Sequence, residues 1–172
     1  MIDKKELRLK AKNIRKNLPV ETISQKAVEL LRMNSLYKNA QNVMIFYPMK
    51  YEIDLLELLN DNKNFYLPKV NELNIEVCPY IKGDELKKSG FGVNEPCTIS
   101  VSADIIDLVV APALMCDGDN YRLGYGGGYY DRFINKYGQN FKTISIIPKE
   151  LFTKNLPHEN TDAKIDEIII IS

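Results

Sequence analysis

The chain has 172 residues, of which 45% are hydrophobic and 27% are charged, and its 23 basic residues balance its 23 acidic residues. This composition is typical of a globular domain with a substantial core, and it excludes a disordered chain and a coiled rod. A net charge of zero gives no general attraction to nucleic acid or to anionic membranes. We therefore expect small-molecule partners and neither of those two.

The cysteines and the apolar segments predict where the protein works. Three cysteines without CxxC spacing favour reduced thiols in the cytosol over a disulfide framework or a zinc site. Residues 1–6 contain no apolar signal region. The longest apolar stretch, residues 105–116, is interrupted by Asp107 and Pro112 and is too short to cross a bilayer. We expect a cytoplasmic protein with a single domain over residues 1–172.

The first predicted element is a helix that follows Asp3 and ends at Pro19. Asp3 opens a capping box, and apolar residues then recur at helical spacing, at Leu7, Ala11, Ile14 and Leu18. Lys4, Arg8 and Arg15 lie beside this apolar stripe, so we expect cations along the rim of whatever the helix covers. Ordinary solvated surface charges are the alternative for these three residues.

Helices and short apolar strands alternate along the rest of the chain. A second helix is predicted over residues 21–33, a short one is capped by Asp54, and another spans residues 129–137. Strands are predicted at residues 43–47, 65–67, 75–81, 108–111, 143–147 and 168–171. Residues 83–96 and 112–128 are predicted to be loops. This alternation indicates an α/β three-layer sandwich with a largely parallel central sheet flanked by helices.

The glycine-rich segment at residues 122–132 carries most of the chemical information. It reads Arg-Leu-Gly-Tyr-Gly-Gly-Gly-Tyr-Tyr-Asp-Arg, and bare backbone N–H groups at the start of a helix bind phosphate. Four glycines carry a large entropy cost, which favours this function over a flexible turn. No Gly-Lys-Ser/Thr of a P-loop follows, and Tyr129 stands where a Rossmann fingerprint has a small residue.

Charged and aromatic residues near the glycines fit a nucleotide. Arg122 directly precedes them, and a guanidinium matches the geometry of phosphate. Asp131, in the first turn of the following helix, is either a magnesium ligand or a carboxylate that complements the helix dipole. Tyr129 and Tyr130 suit either core packing or stacking on a flat ring. Glu52 is either a loop carboxylate or a pocket acid that accepts from donors on a ligand.

Several blocks in chain order resemble the 5-formyltetrahydrofolate cyclo-ligase family, also called 5,10-methenyltetrahydrofolate synthetases. Beside the glycine-rich segment these are residues 4–8, 47–53, 65–69, 91–96, 107–112 and 156–168. The resemblance implies that 5-formyltetrahydrofolate and ATP react, with magnesium, to 5,10-methenyltetrahydrofolate, ADP and phosphate. The formyl oxygen would be phosphorylated first, and the 10-nitrogen would then close the ring.

The resemblance also implies a role for each matching residue. ATP would contact Lys4, Arg8, Arg122, Leu123, Gly124, Tyr125, Gly126, Gly127, Gly128, Tyr129 and Tyr130. The folate would contact Tyr47, Met49, Glu52, Tyr125, Gly126, Gly127, Gly128 and Tyr129. Magnesium would be held by Asp131 and Asp162, and a loop or capping role is the alternative for Asp162. Arg122 and Tyr130 would be catalytic, whereas Glu52 would accept hydrogen bonds from the pterin without acting as a general base.

The chain departs from some members of that family within the glycine loop. Those members carry Arg and Lys where this chain has Tyr125 and Gly127, which gives Lys4, Arg8 and Arg122 more weight. Two other functions stay open: a binding protein that keeps the scaffold without the reaction, and a sugar-phosphate isomerase or CoA transferase that needs no ATP. We expect a monomer, although the sequence leaves the oligomeric state open.

Overall fold

The structure is a computed structural model that describes residues 2–172, which form four α-helices, three short 3₁₀ helices and eleven strands. The α-helices are α1 (Lys4–Arg15), α2 (Val20–Met33), α3 (Ser35–Asn39) and α4 (Tyr129–Tyr137). The 3₁₀ helices span Leu56–Asn60, Ala103–Ile105 and Lys149–Leu151. The strands are β1 (Asn42–Met44), β2 (Asn64–Asn71), β3 (Asn74–Pro79), β4 (Leu86–Lys88), β5 (Asn94–Pro96), β6 (Leu108–Val110), β7 (Met115–Asp117), β8 (Arg122–Leu123), β9 (Lys142–Pro148), β10 (Phe152–Thr153) and β11 (Glu167–Ile171).

Six strands form the central sheet in the order β11-β9-β6-β1-β2-β3. The first five run parallel to one another, and β3 pairs with β2 in the antiparallel direction at one edge. Pro79 ends that edge strand, where a missing N–H is tolerated. All three residues of β6 are buried, as expected for a central parallel strand with both faces covered. The predicted sheet is therefore confirmed.

Apolar clusters cover both faces of this sheet. Successive side chains of a strand point to opposite faces, so Val43 packs with Leu31 of α2 while Met44 packs with Phe133 of α4. The described residues thus form helix, sheet and helix layers, which confirms the three-layer sandwich. No helix within residues 2–172 is long and apolar enough to cross a membrane.

Helix α1 begins where the capping pattern predicted. The side chain of Asp3 accepts a hydrogen bond from the Glu6 amide at 2.8 Å. The apolar stripe of α1 buries Leu7 and Ala11 against Leu114 and other residues of a third cluster. The short helix after Asp54 also forms, as a 3₁₀ helix whose N-cap is Leu55 and not Asp54. The Asp54 carboxylate accepts from the Leu56 amide at 2.9 Å.

Both segments predicted as loops contain strands. Residues 83–96 form a hairpin of β4 and β5. Within residues 112–128, β7 and β8 pair with each other, and β7 also pairs with β10. These strands are two or three residues long, which is too short to show an alternation of apolar and polar residues. These strands are stabilised by pairing with other segments of the chain, and the hydrophobic periodicity of one segment does not reveal such pairing.

Candidate active site

A cavity of about 1130 Å³ lies beyond the carboxyl ends of β1 and β6. Its walls come from α1, the loop after β1, the β4–β5 hairpin, the glycine loop, the start of α4 and a loop near residue 160. Every residue that the sequence resemblance named for a site lines this cavity. They are Lys4, Arg8, Tyr47, Met49, Glu52, Arg122, Leu123, Gly124, Tyr125, Gly126, Gly127, Gly128, Tyr129, Tyr130, Asp131 and Asp162.

The glycine loop, residues 124–128, needs glycine for two different reasons. Gly126 and Gly128 have φ values of +115° and +69°, a backbone region that side chains disfavour. Gly128 is also the residue from which α4 starts. At Gly127 the reason is contact, because an added Cβ would lie 2.5 Å from Cε2 of Tyr129. The loop therefore brings its backbone to the N-terminus of α4, where anions bind favourably.

Two cations from α1 reach this loop and the wall beside it. Arg8 donates from Nε to the carbonyl oxygen of Gly124 at 2.8 Å. Lys4 Nζ lies 2.6 Å from Oδ2 of Asp162. Burial alone would raise the pKa of Asp162, but the Lys4 ammonium and the Glu159 amide outweigh it and lower that pKa. Asp162 is thus held as a carboxylate at the cavity wall.

Two of the acidic residues that line the cavity, Asp131 and Asp162, are the predicted magnesium ligands. Asp131, in the first turn of α4, accepts from the Ala163 amide at 3.1 Å, and its Oδ1 lies 3.7 Å from Nη1 of Arg122. No group of three or more His, Cys, Asp or Glu side chains that could hold a metal is found among residues 2–172. Magnesium commonly uses one or two carboxylates together with substrate phosphates and water. Asp131 and Asp162 therefore fit an ion that binds together with a nucleotide.

Arg122 and Tyr130 pack against each other below the glycine loop. The Arg122 guanidinium lies 5.3 Å from the centre of the Tyr130 ring, and its Nε donates to the Pro112 carbonyl at 2.9 Å. Burial raises the pKa of the Tyr130 hydroxyl, and the nearby Arg122 charge opposes that rise only in part. Tyr130 is therefore a neutral hydroxyl at physiological pH, able to donate a hydrogen bond.

The carboxylate of Glu52 is buried, with 5% of the residue exposed. Tyr125 donates from its hydroxyl to Oε2 of Glu52 at 2.6 Å, and the Met49 amide donates to Oε1 at 3.0 Å. Burial raises the pKa of Glu52, while Tyr125, the Met49 amide and Arg15 oppose the rise. A buried acid that faces a cavity and carries fixed donors suits recognition of a polar ligand.

Arg15 differs from its sequence-based expectation. We predicted a cation on the rim of α1, but Arg15 is 8% exposed. Its Nη1 donates to the Tyr125 hydroxyl at 2.6 Å, and its Nη2 donates to the Ala113 carbonyl. Arg15 stands at the last position of α1, where helical spacing alone does not show that its guanidinium turns inward. An arginine next to the apolar stripe is the only signal that the sequence offers.

Two residues that line the cavity escaped the sequence interpretation. Phe91, at the tip of the β4–β5 hairpin, meets Tyr129 edge to face at 6.1 Å between ring centres. The Arg132 guanidinium lies 4.9 Å from the centre of the Tyr129 ring. The family resemblance includes residues 91–96, but it assigns no role to Phe91. A large aromatic residue between two glycines in an exposed loop was the available signal.

Comparison with known proteins identifies the family. Residues 1–171 match the model of the 5-formyltetrahydrofolate cyclo-ligase family. The chain belongs to this family. A 5-formyltetrahydrofolate cyclo-ligase from Haemophilus influenzae is 26% identical over 97% of this chain and 97% of its own length. The resemblance to this family is thereby confirmed. The family consists of enzymes.

Solved structures of cyclo-ligases share the fold. The NMR structure of 5,10-methenyltetrahydrofolate synthetase from Aquifex aeolicus superimposes with a TM-score of 0.83 at 28% identity, covering 97% of this chain and 89% of that one. The synthetase from Mycoplasma pneumoniae has a TM-score of 0.77 at 22% identity, with 98% of each chain covered. This cyclo-ligase family member therefore has the same overall fold as these two solved structures.

Proposed function

We propose that this protein catalyses the ATP- and magnesium-dependent cyclisation of 5-formyltetrahydrofolate to 5,10-methenyltetrahydrofolate, with release of ADP and phosphate. The observation that carries the proposal is that the family's motif residues, which are distant in sequence, line one cavity. Its volume of about 1130 Å³ is above the range of roughly 300–1,000 Å³ for a site that holds one drug-sized ligand. Such a volume suits two substrates held side by side.

The phosphate end of ATP fits the wall made by α1 and the glycine loop. Lys4, Arg8 and Arg122 supply three positive charges there, and the N-terminus of α4 adds the backbone N–H groups of the loop. Asp131 and Asp162 would hold magnesium, which supplies further positive charge against the phosphates when it is bound. The remaining residues of 122–130 form the rest of this wall.

The folate fits the opposite wall. Tyr47, Met49 and Glu52 follow β1, and the Glu52 carboxylate accepts hydrogen bonds from the Met49 amide and the Tyr125 hydroxyl. The glycine loop, with Tyr125 and Tyr129, also lines the cavity, and the Tyr125 hydroxyl joins it to this wall through Glu52. A loop almost without side chains lets two substrates approach closely, which is the main requirement for transfer between them.

The proposed reaction starts at the formyl oxygen, an amide-like atom and a weak nucleophile. Its electron pair forms a bond to the γ-phosphorus while the bond to the bridging oxygen breaks, and ADP leaves with that pair. The 10-nitrogen then attacks the formyl carbon and loses its proton to water. Phosphate departs with the electron pair of the C–O bond, which leaves the 5,10-methenyl bridge.

The protein contributes position and charge to both steps. Arg122 neutralises negative charge that develops on the transferred phosphoryl group, and the neutral Tyr130 hydroxyl donates to an oxygen of that group. Glu52 orients the folate and takes no proton. We propose that a single-domain monomer with two small-molecule substrates carries out this function.

The test is absorbance at the methenyl-folate band in the near ultraviolet, with 5-formyltetrahydrofolate and magnesium, in the presence and absence of ATP. An ATP-dependent rise is expected. No rise, with ATP still bound by calorimetry, would favour a binding protein that keeps the scaffold. Turnover of a sugar phosphate or a CoA ester without ATP would favour the isomerase or transferase alternative.

A further inference from the structure

Arg15 is the buried cation of α1, and it does not line the cavity. It lies behind Tyr125, whose hydroxyl in turn contacts Glu52. Nη1 of Arg15 is 3.9 Å from Oε2 of Glu52, and no other Lys, Arg or His side chain within residues 2–172 lies within 4 Å of that carboxylate. Arg15, Tyr125 and Glu52 thus form one row of contacts that leads from the C-terminal end of α1 to the cavity.

The direction of each hydrogen bond in this row follows from chemistry. A guanidinium only donates, so the Tyr125 oxygen must accept from Arg15, and its own proton is then free to point to Glu52. Oε2 of Glu52 therefore accepts from Tyr125, and Oε1 accepts from the Met49 amide, which also only donates. A proton on Oε1 of Glu52 would face the Met49 amide, and a proton on Oε2 would require the Tyr125 hydroxyl to turn its own proton away from Glu52, so both are disfavoured.

The surroundings of Glu52 disfavour its ionised form, and Arg15 and Tyr125 oppose that effect. A second cavity, of about 440 Å³, borders Glu52 on its other side, and its charged residues, Glu21, Asp54 and Glu57, are all acidic. Tyr130 from α4 adds a neutral phenol nearby. Burial favours the protonated form of Glu52. Arg15, and the Tyr125 hydroxyl that it orders, favour the ionised form of Glu52.

We infer that Arg15 is a positioning residue that acts through Tyr125 to keep Glu52 ionised and aimed into the cavity. The consequence of this inference for binding rests on the proposed function. An anionic Glu52 accepts from paired N–H donors of the folate, whereas a protonated Glu52 presents a competing donor. Arg15 thus governs affinity for the folate and leaves ATP binding to Lys4, Arg8 and Arg122.

The first test compares the KM for 5-formyltetrahydrofolate and the KM for ATP as functions of pH in wild type, Arg15→Gln and Tyr125→Phe. In Arg15→Gln the folate KM should rise about tenfold near pH 6 and return towards the wild-type value near pH 8.5, because the acid ionises again. The ATP KM should change by less than about twofold. Lys12→Gln removes an exposed cation of α1 and serves as the matched control.

A pH profile of Arg15→Gln that runs parallel to wild type, or an equal rise of both KM values, would overturn the inference. Tyr125→Phe covers the case in which Arg15→Gln does not fold, because it keeps the bond from Arg15 to the Ala113 carbonyl. It should shift the folate profile in the same direction. A flat profile in a folded Tyr125→Phe variant would also overturn the inference.

A second measurement needs no turnover, so it separates this inference from the proposed function. The carboxyl carbon of Glu52 in the wild-type protein is followed by ¹³C NMR during a pH titration, with its signal assigned from its absence in Glu52→Gln. An ionised Glu52 at neutral pH in wild type, and a higher titration midpoint in Tyr125→Phe, are expected. A protonated Glu52 at neutral pH in wild type would contradict the inference even if the enzyme is active.

Discussion

Arg8 donates from Nε to the carbonyl oxygen of Gly124 at 2.8 Å, a contact between residues 116 positions apart. The bond joins the first helix to the glycine loop, so the helix that begins the chain shapes the proposed phosphate site. The same guanidinium lies 3.6 Å from the position that a Cβ on Gly126 would take. Arg8 therefore contributes both a charge and a support for the loop.

Replacing Arg8 by Ala should weaken ATP binding and leave folate binding nearly unchanged. The variant loses a cation and a charge-assisted hydrogen bond, so we expect the ATP KM to rise by about ten- to a hundredfold. Lys12→Ala, on the exposed side of the same helix, is the control and should resemble wild type. Steady-state kinetics with each substrate varied in turn gives the answer, and an equal effect on both KM values would count against a phosphate role.

Gly127→Ala tests the contact between the loop and Tyr129. The new Cβ would lie 2.5 Å from Cε2 of Tyr129, so the ring must move out of its place beside Phe91 and Arg132. We expect weaker binding of ATP with an unchanged fold, and a larger loss for Gly127→Val. Calorimetric titration with ATP measures this. Gly118→Ala, where the Cβ meets only the Lys154 carbonyl at 3.6 Å, should bind normally, and normal binding by Gly127→Val would refute the crowding.

Asp131→Ala and Asp131→Asn together separate a metal role from a structural role. Asn retains an oxygen that can accept from the Ala163 amide, but it lacks the charge that magnesium requires. We expect both variants to fold with similar melting temperatures and to lose turnover by about a hundredfold, as for other groups that balance phosphoryl charge. If Asp131→Asn turns over like wild type at low magnesium, Asp131 is not a metal ligand.

The Glu52→Gln variant should lose folate binding. Its stability relative to wild type should increase as the pH rises. Burial raises the pKa of Glu52 above its unfolded value, so the stability that its protonated form contributes is present at acid pH and is lost as the pH rises through the folded-state pKa. Gln does not ionise. The melting temperature of Glu52→Gln relative to wild type should therefore rise as the pH increases from about 4.3, the unfolded pKa of Glu, towards neutral, by about 2–4 °C per kcal/mol of lost wild-type stability.

Melting curves at several pH values check this prediction, and folate affinity is measured in the same samples. Tyr125 and the Met49 amide both lie against the carboxylate of Glu52, so an amide at this position retains most of the packing. A difference in melting temperature that does not vary with pH would show that the Glu52 charge has no linkage to stability.

Patterns within single segments were sufficient for the main architecture. The apolar run at residues 108–111 predicted a strand covered on both faces, and β6 has every residue buried. The cap at Asp3 and the helix after the glycines also formed as predicted. Membership of the cyclo-ligase family followed from ordered motifs and is confirmed. The roles of individual site residues remain proposals.

Residues whose position depends on partners elsewhere in the chain were harder to predict. Strands β4, β5, β7 and β8 have two or three residues each, and such strands exist only because another segment pairs with them. Phe91 reached the cavity through one of these hairpins. Strand lengths and ends were also misjudged, since β1 ends at Met44 and not at residue 47.

The amino-acid sequence alone determined the fold class, the family and the set of residues to consider, because hydrophobic periodicity, capping and motif order are local properties of the chain. The tertiary structure decided which way charged side chains turn. Arg15 and Arg8 lie on the same helix beside the same apolar stripe, yet one is buried behind Tyr125 and the other faces the glycine loop. Their partners in the glycine loop, Gly124 and Tyr125, are more than 100 positions away, and only packing of the whole chain brings those residues together.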